Sequence, residues 1–363
     1  MRIGAPAPTA GAPAPRDVRT DWRDPSGRQG PTPSGGAGSH LNMLNVVTLV
    51  GRRLLQLPIM ILGITFLVFF IMSFSKIDPA IVALGEGASL EARQEYRVTH
   101  GLDEPLLVRY VTFLSGLTQL DLGTYSARQL PVTAEIARAF PITLQLTFFG
   151  LIIAVALSLA LGVCAAIYRD RWPDHAIRFV SIASLSTPSF WLAILLIQLL
   201  GNRVGLLSMF PTSGRLPELT ADTGGWLIRM LLPAVALALP VVGQLSRVVR
   251  TAVVEELDRD YVRTAIGAGI PRRVVVGRNV LRNALITPIT VLGLRIGYLM
   301  GGAVVIEIIF NINGMGMLIL NGVTNNEPNL VQGVTLTVAL AFVVINAVVD
   351  LLYVLVNPRI RTI

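Results

Sequence analysis

Residues 255–282 read EELDRDYVRTAIGAGIPRRVVVGRNVLR. This charged stretch lies between an apolar run ending near Ser246 and another beginning near Ala284. It carries too many charges to sit in lipid, where each arginine or aspartate at mid-depth costs at least about 2.5 kcal/mol. Its pattern is too helical for a slack linker. Asp258 or Asp260 is placed to cap a short helix, Tyr261 to Ile266. Gly267 and Gly269 loosen and stop it. Pro271 is placed to start a second helix, along which Val274, Val275, Val276, Val280 and Leu281 recur between arginines. A short helix bounded by glycines makes a rigid knob, and small residues at its tip let a partner approach closely.

The runs on either side read as membrane spans. The chain is 53% hydrophobic and 14% charged, with mean hydropathy +0.64, against about 25% charged for a soluble domain. A span needs about 20 apolar residues to cross roughly 30 Å of hydrocarbon. Six candidates meet that need, near 54–74, 142–167, 178–200, 230–250, 285–310 and 331–356. The fourth contains Pro233 and Pro240, so a kink is expected, with Arg229 reaching back to the headgroups. The fifth is interrupted by Arg295.

Arginine placement sets the orientation. Short cytoplasmic loops are rich in Lys and Arg. Arg52 and Arg53 precede the first span, and Arg169, Arg171 and Arg178 lie between the second and third. Arg247, Arg250, Arg259, Arg263, Arg272, Arg273, Arg278 and Arg282 lie between the fourth and fifth, and Arg359 and Arg361 follow the last. Six crossings put all of these on one side. The opposite short loops hold only Arg203 and Arg215. Both termini of this multi-pass chain are therefore expected in the cytoplasm. The net charge of +8 follows from this asymmetry and the tail. It does not call for a nucleic-acid partner.

Three segments are expected. Residues 1–45 are Pro/Gly-rich and cannot bury enough surface to offset ordering, so they read as a disordered cytoplasmic tail. No apolar core follows Arg2, so the start does not read as a signal peptide. Residues 46–140 hold the first span and a small helical extracytoplasmic cap. In the cap, Ser89 can start a helix that Gly101 stops, Pro105 can open a second helix running to about Gly116, and DLGTY at 121–125 reads as a turn. Residues 141–363 form a five-helix core containing the charged loop at 251–283.

Several chemistries are disfavoured. Cys164 is the only cysteine, and His40, His100 and His175 are scattered, so no metal site is expected. No HExxH or GxSxG occurs. The only lysine is Lys76, preceded by Ser75, so the Gly-Lys-Ser/Thr of a phosphate loop is missing. The chain is read as non-catalytic and without a cofactor of its own. Any driven work would draw on another subunit.

Here the residues resemble a known family, the permeases of ATP-binding-cassette importers, and within it the first permease of the dipeptide/oligopeptide and nickel branch. That branch writes Asp-Tyr-Val before its coupling loop, as at Asp260-Tyr261-Val262. The loop's Glu-Ala-Ala, three residues, then Gly is met by Arg263-Thr264-Ala265, Ile266-Gly267-Ala268 and Gly269. RRLLQLP at 52–58, GLDEPL at 101–106, DLG at 121–123, FPTSG at 210–214, RNALITP at 282–288, GGAVVIEIIF at 301–310 and DLLYVLVNPRIR at 350–361 stand in the family's order. The likeness covers roughly residues 50–361. Departures are Arg263 in the Glu position, Ile266-Gly267-Ala268 where a basic pair is usual, Arg282 for a proline and Ile77 where Gly precedes Asp-Pro.

The resemblance implies an all-α membrane fold of six transmembrane helices with a cytoplasmic coupling helix and an extracytoplasmic cap. It implies a second homologous permease, one or two ATP-binding subunits that hold ATP and Mg, and an extracytoplasmic substrate-binding protein. Peptides are the implied cargo; nickel or a haem-like ligand is the alternative within the family, and a self-sufficient channel or secondary carrier the alternative outside it. Asp260, Tyr261, Arg263, Thr264, Ala265 and Gly269 are the expected ATPase-coupling residues, and a bulky residue at Gly269 is expected to uncouple transport. Arg295 and Glu307, about 18 Å apart on a straight helix, are candidates for the substrate path. Arg295 meets either a peptide carboxylate or a structural partner; Glu307 serves either gating or interfacial solvation.

Overall fold

The computed structural model describes Gly51 and residues 58–74, 78–85, 87–119, 121–126, 128–202, 205–212 and 216–356. The expected tail, together with Arg52, Arg53, Lys76, Arg203, Arg215, Arg359 and Arg361, lies outside the described residues. The order is α1 (Pro58–Ser73), α2 (Pro79–Leu84), α3 (Leu90–Thr99), α4 (Leu106–Thr118), β1 (Thr124–Tyr125), β2 (Leu130–Pro131), α5 (Val132–Ile167), α6 (Trp172–Ser186), α7 (Ser189–Leu200), α8 (Thr223–Leu257) and α9 (Asp260–Gly267). After these come α10 (Arg272–Val274), a π-helical turn (Val275–Val280), α11 (Leu281–Ala284), α12 (Ile286–Phe310), α13 (Met315–Thr324) and α14 (Pro328–Val356). The protein is an all-α membrane protein, with one minimal hairpin among the described residues.

Two long helices organise it. α5 has 36 residues and α8 has 35. At about 1.5 Å per residue each spans over 50 Å, well beyond the hydrocarbon thickness, so both project from the lipid. The expected boundary at 140–141 falls inside the continuous α5. The two helices pack closely through small residues. A side chain at Gly162 would come within 2.6 Å of the Val249 Cβ and 2.7 Å of the Ser246 carbonyl. In lipid, where apolar surface alone does not drive helices together, such close approach is a main source of attraction. Leu146 of α5, Met230 and Leu237 of α8, and Leu299 and Ile306 of α12 are fully buried in the shared core.

Prolines act differently at two places. α8 runs uninterrupted through Pro233 and Pro240, both buried; the expected kink does not break the helix. Neighbouring helices can hold such a turn together in a membrane. The third expected span, by contrast, is broken. α6 and α7 meet at 111°, and neither alone reaches about 20 residues. Pro188 keeps Thr187 out of the helical region, and Thr187 sits at φ −102°, ψ 125°. α12 is bent by 43° between Ile286–Gly293 and Arg295–Phe310.

Among the described residues, α5, α8 and α14 over Pro328–Val349 are each long and apolar enough to cross alone; the two bent pairs bring the number to five if each is one span. α1, described from Pro58, falls short of that length.

The cap is docked onto α1. Ser89 caps α3 by accepting the Ala92 N–H at 3.2 Å. Gly101 at φ +60° closes it, with the Leu102 N–H reaching the Arg97 carbonyl at 2.9 Å. The Tyr110 hydroxyl of α4 donates to the Leu62 carbonyl of α1 at 3.0 Å. α2, which the sequence reading passed over, starts at Asp78, whose side chain accepts the Ala80 N–H at 3.0 Å, with Pro79 behind it. The expected turn at 121–125 is corrected in its second half. Thr124 and Tyr125 pair with Pro131 and Leu130, because Asn329 and Glu327 hold the hairpin from outside.

Candidate functional site

The charged loop forms a compact shelf at the end of α8. α8 closes at Leu257, and the chain re-enters a helix at Asp260. The expected caps are corrected: Arg259 holds the N-cap position without a side-chain bond. Asp258 instead ends α8 and takes the Arg169 guanidinium at 2.9 Å. Asp260 lies in the first turn of α9 with its side chain fully in solvent. There it still favours the positive pole of the helix.

One face of α9 is anchored. Val262 is 3% exposed among Val253, Val275 and Val280. Ala265 packs against the same cluster. The Tyr261 hydroxyl donates to Glu256 Oε1 at 3.0 Å, and the Asn283 amide reaches the same oxygen at 3.2 Å. Burial raises the Tyr261 phenol above its ordinary value, and the adjacent Glu256 carboxylate pushes the same way. These contacts join α9 to the end of α8 and the start of α11. A push on α9 is therefore passed to membrane-spanning α8 and to the short α11 that leads into α12, not absorbed by a loop.

The other face meets little among the described residues. Arg263 is 76% exposed, paired only loosely with Asp260 at 3.9 Å. The Thr264 hydroxyl returns to the Asp260 carbonyl at 3.1 Å. Gly267 faces open space. Gly269 does too, but at φ +83° it also closes the helix: its N–H reaches the Ile266 carbonyl at 3.0 Å and the Ile270 N–H reaches the Ala265 carbonyl at 3.1 Å. This is the left-handed glycine stop of a helix. Ile266, Ile270 and Val274, none of them expected as exposed contact residues, are large apolar side chains exposed along the same rim. Their signal was available: apolar residues on a helix face otherwise made of arginine and glycine.

The α6–α8 joint beside this shelf holds a buried carboxylate, also missed. Asp174 is fully buried and receives Arg250 through both oxygens, at 2.7 and 2.6 Å. The Asp170 N–H adds a third bond at 3.0 Å. Ser181 and Ser246 meet at 2.9 Å one turn deeper. In the sequence Asp174 and Arg250 are 76 positions apart and Ser181 and Ser246 are 65 apart, beyond any periodicity argument.

The two intramembrane candidates have different surroundings. Arg295 begins the second segment of bent α12, and its Nε is buried without a hydrogen-bond partner among the described residues. Glu307 is fully buried. Its Oε2 accepts the Gly316 N–H at 2.7 Å, while Oε1 has no partner among the described residues. The carboxylate lies against Gly314, where any side chain would collide with it. Glu307 thus braces the start of α13 against α12, and the structure does not bring it together with Arg295.

Comparison with known proteins gives a consistent picture. The family described as binding-protein-dependent transport system inner membrane component matches residues 158–362. Its N-terminal counterpart matches residues 46–147. A candidate peptide transport system permease of Brucella abortus is 37% identical over 317 residues, covering 87% of this chain and 99% of that protein. The candidate D,D-dipeptide transport system permease DdpB of Escherichia coli is 35% identical, covering 86% and 97%. The glutathione transport system permease GsiC of Pectobacterium atrosepticum is 37% identical, covering 85% and 97%.

Proposed function

The chain belongs to the binding-protein-dependent transport system inner membrane components, and from that membership we propose that it is the peptide-conducting permease subunit of an ATP-driven importer. Relatives named for peptide, D,D-dipeptide and glutathione transport support a cargo of short peptides. A second homologous permease completes the path, one or two ATP-binding subunits hold ATP and Mg, and an extracytoplasmic protein delivers the peptide. This subunit hydrolyses nothing itself. Both termini face the cytoplasm, on the same side as α9.

The observation that carries the reading is the two-faced α9. Its inner face is fixed to α8 and α11 by Val262, Tyr261 and Glu256. Its outer face presents Asp260, Arg263 and Ile266, with no side-chain partner among the described residues beyond the loose Asp260–Arg263 pair. In this reading the ATP-binding subunit covers that face. ATP binding there shifts the permease between its states through the differential contact, as any coupled equilibrium requires. Arg295, with a buried donor left free, lines the path and meets the peptide or the sister permease.

The test is uptake of a labelled dipeptide by the complete complex in proteoliposomes. Wild type accumulates peptide only with ATP inside. Reversing both charges, Asp260→Arg with Arg263→Glu, lowers uptake by about tenfold, the usual size of a coupling interaction, while the complex still purifies intact. Uptake unaffected by the reversal removes the coupling role from α9.

A further inference from the structure

A partly open cavity of about 470 Å³ lies between the cap, the end of α1 and the start of α14. Sites for small ligands are commonly about 300–1,000 Å³. Most charges on its wall are already committed. Asp78 and Arg97 hold each other at 2.9 Å, and Arg97 also takes Asp103. His100 stacks on Tyr96 and its Nδ1 lies 2.9 Å from that residue's carbonyl.

Three wall groups remain uncommitted among the described residues. Arg109 forms no ion pair; its guanidinium lies over the Phe69 ring, 5.8 Å from the centroid. The ring covers one flat side and leaves the edge donors unused. Glu104 carries the opposite charge without a partner. Gln332 is only 8% exposed, yet its amide has no hydrogen-bonding partner. Its amide atoms open onto the cavity, where water or a ligand can take them. Gln332 stands in the opening turns of α14, beside Pro328 and Asn329. In the first turn of that 29-residue helix the Asn329 and Leu330 N–H groups are the donors left, since Pro328 has none and the Val331 N–H reaches the Glu327 carbonyl.

The Arg109 guanidinium, the Gln332 amide and the Asn329 and Leu330 N–H groups face one cavity as donors for a carboxylate, and Glu104 supplies the complement for an ammonium group. We propose that this cavity binds a short zwitterionic peptide, its carboxylate held by Arg109, Gln332 and the first turn of α14, its amino end turned toward Glu104. The choice of a peptide among zwitterions rests on the proposed transport function; the carboxylate chemistry does not. The site is separate from α12 and gives the cap a task of its own, to hold peptide before it enters the path.

The test uses the full chain in its assembled complex in nanodiscs. Cys164→Ser removes the native thiol, and Thr112→Cys places a single thiol on the cavity wall. The rate of modification by an anionic thiol reagent is measured with Ala-Ala or its C-terminal amide. Ala-Ala slows modification by about tenfold, as expected for loss of access by a charged-group contact; the amide does not. Arg109→Ala and Gln332→Leu each abolish the protection while the complex elutes unchanged. Equal protection by both peptides, or none by either, overturns the proposal. So does slow labelling that is relieved only by removing phosphatidylethanolamine, which would identify a lipid headgroup as the occupant. Peptide uptake by a complex that shows no protection removes this site and leaves the transport reading standing. Protection in a complex without ATP-driven uptake keeps the site and removes that reading.

Discussion

Gly267 and Gly269 are two residues apart and do different work. The sequence motif makes Gly269 a contact residue, and a bulky replacement there was expected to uncouple transport. Its φ of +83° and the two bonds that end α9 around it make it first a structural residue. A left-handed conformation costs a non-glycine residue about 1–2 kcal/mol. Gly269→Ala is therefore expected to speed hydrogen exchange of the amides at 262–270 even in the isolated chain. Gly267 is helical and faces open space. Gly267→Trp should leave exchange and thermal stability unchanged but cut peptide uptake, because in the proposed coupling role that open space is where the ATP-binding subunit docks. If Gly267→Trp transports normally while Gly269→Ala does not, the tip of α9 is not a contact surface.

At the scale of elements, the α6–α8 joint deserves the same treatment. It is made by Asp174 and Arg250, the Ser181–Ser246 bond and the small Gly243, where a side chain would run into the Ser181 carbonyl. A two-pronged arginine on a fully buried carboxylate gains direction as well as energy. Removing Arg250 leaves the buried Asp174 carboxylate with only the more distant Arg178 at 3.5 Å, and stranding a buried charge costs up to about 3–5 kcal/mol. Arg250→Met should lower the melting temperature of the purified complex by several degrees. Adding Asp174→Asn should restore part of that loss, since no buried charge then remains. Equal melting of wild type and Arg250→Met would show that the pair adds nothing. The cap shows the same logic in a wetter place. Arg97 joins Asp78 and Asp103 and so ties α2, α3 and the turn before α4 together. Arg97 holds the Asp103 carboxyl below its ordinary value. That contribution is present above the ordinary value and fades as pH falls through the folded one.

At the scale of the molecule, the sidedness of the cap and α9 is the property on which the proposed mechanism depends. Cysteines placed at Glu91 in α3 and at Arg263 in α9, both exposed, should label from opposite sides of inside-out and right-side-out vesicles. Labelling of both from one side would place the cap and the shelf on the same face and dismantle the division between delivery outside and energy inside. The helix content, the apolar runs and the charged hairpin were legible because each is a local pattern of composition and period. The Ser89 start and Gly101 stop of α3 were legible for the same reason, since capping chemistry acts within a turn. The break at Pro188 was written in the sequence but read through, because α6 and α7 together look like one apolar run. α13, the hairpin strands and the Glu307 brace were not legible, since their stabilising contacts come from residues far along the chain.

The sequence by itself determined that this protein lives in lipid, that a charged helical knob interrupts its spans, and that it cannot build a phosphate loop of the Walker type. These follow from which side chains tolerate hydrocarbon and from the absence of a suitably placed lysine. Only the tertiary structure decided which face of the knob is anchored and which is free, where α6 turns away from α7, and that Glu307 and Arg295 stand apart. Those outcomes depend on close packing between helices distant in sequence, where one glycine against one valine, or one arginine against one aspartate, fixes a geometry that no local pattern encodes.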